Sequence, residues 1–486
     1  MLPPLPEEIL SVIIEHLADS LSVDNLPDSD VRREDPYYKP HDTGRNVSLA
    51  SLRFLPYGRR LLYSHFNSHN ADRIRDDDED PYMQGTFLRR LHNLDDNPHL
   101  ALFVKEFTVG LENPPFREEQ ATMLGRVLKL CTRLTTFSLL EGKMRVWDDD
   151  TVDDLEWERN SRERCRLSVL KCLSDPSTFD ATQLRYFTLR AGTGHSKLVE
   201  NLLRRSPNLE SLDIRESEIL SRNPSVPLYF PLLQKLTASG NSHQFVVNIL
   251  AASPNLRHFT WHTDRSYDLP TLQIQYPSVD ELQISRIHSR ETPYETADDL
   301  KTLAPFISSF PQISTLVLVL ESTPLANTTV AIAPPTAASH LFFSSLPSTI
   351  TTLRTNGRPL VPVNMDLASA LCTVLPALRS LEASWESRRV PPSWENLAKA
   401  CSSRNIEMHG TIRSLADAAA GARDCEELMK TMEWQRSEVL ELRATLDFET
   451  DRTTLDFQLD KFDLQLERLR GMQRSWLRFF TQTDVD

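Results

Sequence analysis

The chain has 486 residues, 40% hydrophobic and 25% charged, with a formal net charge of −14 and a mean hydropathy of −0.37. That length exceeds one ordinary core and points to several domains or a repeat array, while the acidic balance argues against general affinity for nucleic acid or membranes. Only 13 glycines occur in the 486 residues, against an average of about 7%, which is a poor basis for phosphate-cradling loops.

The first element is LPEEILSVIIEHL, in which Leu5, Ile9, Ile13 and Leu17 recur every four residues and Val12 and Ile14 widen the stripe. Pro6 suits a first helical turn, and Glu7 and Glu8 complement the positive end of the helix dipole. A polar, acidic stretch follows over 20–46, and then a second apolar segment with Leu49, Leu52, Leu55, Leu61, Leu62, Tyr63 and Phe66. Pro56 and Gly58 divide that segment into two short helices. Three small helices over 1–66 carry more apolar surface than they bury among themselves, which normally means an interface. The plainer reading is a cap on the open end of a repeat array.

Residues 67–100 form a linker that contains the acidic run DRIRDDDED, a solvated loop. From 101 to 410 one phrase recurs, in SPNLESLDI, FPLLQKLTA, SPNLRHFTW, YPSVDELQI, FPQISTLVL and LPALRSLEA, with looser copies in CTRLTTFSL, ATQLRYFTL and LPSTITTLR. Its last residues alternate as a half-buried strand does. The residues before it carry helical spacing, as in Phe245, Val246, Ile249 and Leu250. A helix, a Pro that stops it and a short strand make one unit that cannot bury its apolar face alone, so neighbours stack their strands into a parallel sheet.

Taken at the first aliphatic slot, the copies fall at Leu134, Leu184, Leu209, Leu233, Leu256, Val279, Ile313, Ile350 and Leu378. Spacings near 24 at the centre lie within the roughly 20–29 residues of leucine-rich repeats, and the region resembles that family. Val104–Val109 reads as an earlier strand and Ile406–Met408 as a closing one. The strand-following Asn of regular repeats appears only as Asn241, which predicts an uneven arc. Two copies, 216–231 and 264–277, lack an obvious helix, and 141–165 and 322–339 read as insertions. The fold class is therefore α/β: an N-terminal three-helix module, an irregular solenoid with a parallel sheet, and a helical tail.

In that tail, 411–486, Val439, Leu442 and Leu446 form one stripe, and Leu459, Phe462, Leu466, Leu469, Gln473, Trp476 and Phe480 another, out of register across ETDRTT. Such seams hide against each other, against the repeats, or against a second copy in a coiled coil, so self-association through these helices is one expectation.

The N-terminal module resembles an F-box. Leu5, Pro6, Glu8, Ile9, Ile13 and Leu17 match the first part of that pattern, and Leu49, Arg53, Phe54, Leu61, Leu62 and Tyr63 the last. The resemblance implies docking to the Skp-type adaptor of an SCF-type cullin-RING ubiquitin ligase through Leu5, Pro6, Ile9, Ile13, Leu17, Leu49, Leu52, Phe54, Leu61, Leu62 and Tyr63, as a helix stripe in a groove. The 20–46 insertion departs from the family, as does Leu52, where many members carry a basic residue. The protein expected is a substrate receptor; the alternative is a repeat scaffold unrelated to ubiquitin.

Catalysis needs an activated group with a partner in reach. AGTGH at 191–195 lacks the spacing of a nucleotide-binding loop, the 13 histidines form no HExxH or HxH pattern, and the six cysteines include no CxxC pair. No enzyme, cofactor or metal is expected. Without a basic lead and apolar core at the N-terminus, the compartment expected is cytoplasm or nucleus, with no membrane and no nucleic-acid partner. A protein target would meet the concave sheet face, at Arg190, Asp213, Arg215, Thr260, His262, Gln283, Ser285 and Glu382.

Overall fold

A computed structural model describes residues 55–67, 91–110, 118–140, 152–190, 196–215, 228–239, 243–263, 274–286, 297–320, 341–357, 374–385, 394–445 and 449–481, with positions 269 and 272. The chain divides after His262 into two compact units.

In the first unit the order is α1 (Leu55–Ser64), β1 (His65–Asn67), β2 (Glu106–Gly110), α2 (Glu118–Leu130), β3 (Thr136–Leu140), α3 (Val152–Ser174), β4 (Tyr186–Arg190), α4 (Ser196–Arg204), β5 (Ser211–Arg215), β6 (Lys235–Ser239), α5 (His243–Ala252) and β7 (His258–Thr263). Each strand pairs in parallel with its successor, Phe66 opposite Phe107, Phe107 opposite Phe137 and Phe137 opposite Phe187. Leu212, Leu236 and Phe259 continue that row. These rings stack along the ladder at centroid distances of 4.7, 6.1 and 6.5 Å. The aliphatic slot before each strand is also sealed: Leu134, Leu184, Leu209, Leu233 and Leu256 are all at most 1% exposed. Each such side chain contributes on the order of 2 kcal/mol of burial.

The second unit runs β8 (Glu281–Arg286), α6 (Ala297–Ser308), β9 (Thr315–Leu320), β10 (Thr352–Gly357), β11 (Ser380–Trp385), α7 (Trp394–Ser403), β12 (Glu407–His409), α8 (Thr411–Thr445) and α9 (Glu449–Thr481). Its strands are again parallel and sequential, and Val279, Ile313, Ile350 and Leu378 fill the same buried slot.

One backbone device joins the repeats. The carbonyl just before a strand accepts two N–H groups from the next repeat: Lys105 from Thr135 and Thr136, Arg185 from Glu210 and Ser211, Glu210 from Gln234 and Lys235, Gln234 from Arg257 and His258. Asp280, Ser314 and Thr351 do the same in the second unit. The side chain one residue before the slot adds to it. Asn208 donates to the Thr182 carbonyl and Asn255 to the Pro231 carbonyl, both at 2.7 Å, and the Thr349 hydroxyl donates to Ile313 at 2.8 Å. The strand-following positions, Asn241 among them, lie outside the described residues.

The helices follow the stripes read from the sequence, with Leu124, Val127 and Leu128 buried in α2 and Leu202 and Leu203 in α4. Segment 141–165 differs: from Val152 it is the first half of the 23-residue α3. Cys165, Val169, Leu170 and Leu173 bury its C-terminal half. Gly125 lets α2 approach, since a Cβ there would lie 2.9 Å from Cys172 Sγ. The two copies without an obvious helix lie mostly outside the described residues. Their described ends each lean on the helix that follows, Phe230 N–H on the Ala252 carbonyl and Tyr276 N–H on the Ser309 carbonyl.

The two C-terminal helices pack on each other; of the α8 stripe Val439 is half-buried, and Leu442 and Leu446 lie outside the described side chains. Ala422, Cys425 and Met429 of α8 and Leu455, Leu459 and Leu466 of α9 are buried. Arg436–Asp463, Arg443–Asp456 and Arg470–Glu433 bridge the helices at 2.8, 2.6 and 3.0 Å. As one partner number rises the other falls, so the hairpin is antiparallel. Ile412, Leu415 and Ala418 at the start of α8 are buried where it packs on β11, β12 and α7, which closes the last strand edge.

Candidate functional site

A strand buries alternate residues and presents the others. Counting from the aliphatic slot, the fourth and sixth residues of each repeat point outward: Thr188 and Arg190 on β4, Asp213 and Arg215 on β5, Thr237 and Ser239 on β6, Thr260 and His262 on β7. In register these make rows, with Thr188 opposite Asp213 and Arg190 opposite Arg215, then Thr237 opposite Thr260 and Ser239 opposite His262.

Three of the residues expected to meet a target converge here. Arg190 donates from Nε and Nη2 to Asp213 Oδ2 at 3.1 and 2.8 Å, and Arg215 donates from Nε to Asp213 Oδ1 at 2.9 Å. The arginine side chains are 45% and 30% exposed and the carboxylate 13%. The face changes toward β6 and β7. Thr260 is half-buried, whereas Thr237, Ser239 and His262 are buried.

In the second unit Gln283 donates to the Ser285 hydroxyl at 3.1 Å, and Ser285 is buried. Glu382 pairs with Arg354 at 3.4 Å. Arg354 is not among the residues expected to meet a target. The offset from Ile350 places it on the outward face nonetheless.

Of the residues assigned to adaptor docking, Leu5, Pro6, Ile9, Ile13, Leu17, Leu49, Leu52 and Phe54 lie outside the described residues. Leu61 falls within α1, Leu62 is half-buried, and Tyr63 is 9% exposed with its hydroxyl accepting from Asn93 Nδ2. Phe66, at the end of the same stretch, belongs to the strand ladder, so the sheet starts earlier than the sequence pattern indicates.

No protein-family model matches the chain, and no curated protein sequence matches it. Among solved structures it is similar to one described as the crystal structure of a TLR13–ssRNA13 complex, at 12% identity and a TM-score of 0.28, covering 63% of this chain and 39% of that one. The repeat architecture assigned here rests on the strands and turns themselves. Among the described residues no helix is long and apolar enough to cross a membrane.

Proposed function

We propose that the chain is a protein-binding repeat scaffold whose outward strand faces receive a polypeptide, and that it performs no chemistry of its own. The observation that carries this reading is the accessible, registered Arg190–Asp213–Arg215 group on a strand face built by repeat stacking. Such a face offers directional polar contacts over rigid backbone, which limits the ordering cost of binding. The reading is tested with a photo-crosslinking residue at position 188 on the outward face and, separately, at the exposed Lys197 of α4. Partner adducts are expected from 188 and not from 197; adducts from 197 alone would refute it.

A finer reading is that this scaffold is the substrate receptor of an SCF-type ubiquitin ligase, located in cytoplasm or nucleus. It is supported by the F-box-like pattern of Leu5, Pro6, Glu8, Ile9, Ile13 and Leu17 with Leu49, Arg53 and Phe54, which precedes the repeats. The receptor would hold target lysines near a charged enzyme brought by other subunits, a proximity effect. Co-elution of the full chain with a purified Skp-type adaptor checks it. Binding that is lost in the Ile9→Asp, Ile13→Asp double variant supports the reading, and failure of the unaltered chain to co-elute ends it.

A further inference from the structure

Arg190 and Arg215 occupy directly facing positions on neighbouring parallel strands. Strands in a sheet lie about 4.8 Å apart, and like charges set opposite one another destabilise a sheet. Asp213 relieves that repulsion by giving one oxygen to each guanidinium. One carboxylate against two guanidinium groups still leaves an uncompensated positive charge among these three residues, on a chain whose net charge is −14.

The way the contacts are made decides what that charge can do. Arg215 spends only Nε on Asp213, and Arg190 spends Nε and Nη2. Among the described residues, the Nη1–Nη2 end of Arg215 and the Nη1 of Arg190 are left for another acceptor. Those ends are the edges with which guanidinium takes a carboxylate bidentately. Asp213 has already fixed both side chains, so the rotamer freedom normally lost on binding has largely gone beforehand. On one side of the pair lies half-buried Leu140, which faces Arg190 from β3. On the other side Ser239 of β6 and His262 of β7 are buried. Along this row of the first unit, among the described residues, the accessible positive ends are those on β4 and β5.

We propose that Arg190 and Arg215 form a carboxylate-binding fork, held by Asp213, that takes an acidic side chain of the bound polypeptide; this rests on the reading of the outward face as the binding surface. The segment recognised is a short acidic peptide without any modification. A phosphate would suit the same edges, whereas the chain's net charge of −14 disfavours nucleic acid; binding only of phosphorylated peptides would overturn the proposal.

The test is selection from an unmodified random peptide library displayed against the immobilised full chain. Selected peptides are expected to carry Asp or Glu at one fixed position. Replacing that residue by its amide should weaken binding roughly tenfold or more, the range of a hydrogen bond to a charged group. Arg215→Gln keeps the Arg190–Asp213 pair, so the fold is preserved, and should give a similar loss. Arg215→Lys, with the charge but not the fork, should recover only part of it.

Thr260→Trp, on the same face but two strands from the fork, separates this idea from the reading beneath it. Peptides blocked by Thr260→Trp yet lacking an acidic position, or indifferent to Arg215→Gln, overturn the fork and leave the binding face standing. Peptides indifferent to both variants, or no selection at all, overturn both.

Discussion

The Asn208 side-chain amide donates to the Thr182 carbonyl at 2.7 Å, reaching from one repeat back to its predecessor. Asn255 reaches back to Pro231 in the same way. In each case a carbonyl that faces a turn, with no ladder partner of its own, is satisfied by a neighbour's side chain. Replacing Asn208 by Ala is expected to cost about 1 kcal/mol, and Asn255→Ala a similar amount. The two sites lie two repeats apart, so their effects should add. Urea unfolding of the singles and the double checks this, and a double variant no less stable than either single would contradict it.

Gly125 sits in the middle of α2, where glycine is normally unfavourable by about 1 kcal/mol relative to alanine. Its Cβ position lies 2.9 Å from Cys172 Sγ, and Cys172 is fixed on α3. Gly125→Leu should therefore destabilise the first unit by roughly 1–3 kcal/mol through overpacking. The contact also predicts an interaction between sites. Gly125→Ala should stabilise more in a Cys172→Ala background than in the unaltered chain, as measured by a double-mutant cycle. Equal effects in both backgrounds would mean that the helices separate easily.

The turn between α3 and β4 carries two carboxylates that are better acceptors folded than unfolded. Asp175 takes hydrogen bonds from the Ser177 N–H and hydroxyl and the Thr178 hydroxyl, and Asp180 from the Thr182 hydroxyl and N–H. These bonds hold both groups below the usual carboxylate range. A lowered folded value means that their contribution is complete above the unfolded pKa, near about 4. It is lost as pH falls through the folded value. Asp180→Asn should thus flatten the fall in stability as pH drops below about 4, as read by denaturant midpoints on both sides of that pH. An unchanged pH profile would assign the acid sensitivity elsewhere.

The hairpin of α8 and α9 is laced by ion pairs between exposed groups. Each such pair contributes roughly 0.2–1 kcal/mol and weakens with salt. Arg436→Asp places like charges opposite Asp463 and should loosen the hairpin locally. Adding Asp463→Arg should restore it, because the antiparallel register puts the exchanged pair face to face. Hydrogen exchange of the helical amides reports both steps; a swap that fails to restore protection would argue for a different register.

Much of this fold was legible because burial repeats. Leu134, Leu184, Leu209, Leu233, Leu256, Val279, Ile313, Ile350 and Leu378 were found by spacing, and each is buried. The first half of α3 was not legible. Its VDDLEWERNSRER carries no apolar stripe, and only the half after Cys165 has one to bury. Strand β1 was hidden because Phe66 closes an apolar run that reads as helix. On the outward face, the offset from the slot gave Arg190, Asp213 and Arg215 individually. That Arg190 stands beside Arg215 with Asp213 between them is a matter of strand register, which spacing alone does not contain. His262 and Ser285 share the outward offset and are nevertheless buried, since exposure depends on what surrounds a position as well as on the direction it points.

The paired N–H bonds to one carbonyl have a consequence for how such a chain changes length. Glu210 receives Gln234 and Lys235 as Arg185 receives Glu210 and Ser211, so these neighbouring repeats are joined in the same way. Excision of residues 211–234 brings Glu210 directly before Lys235, and Arg185 then meets a repeat with the same two donors at the same place. Repeats joined in this way can be exchanged without changing the donors and acceptor at the joint, and the uneven spacings fall in the segments between joints.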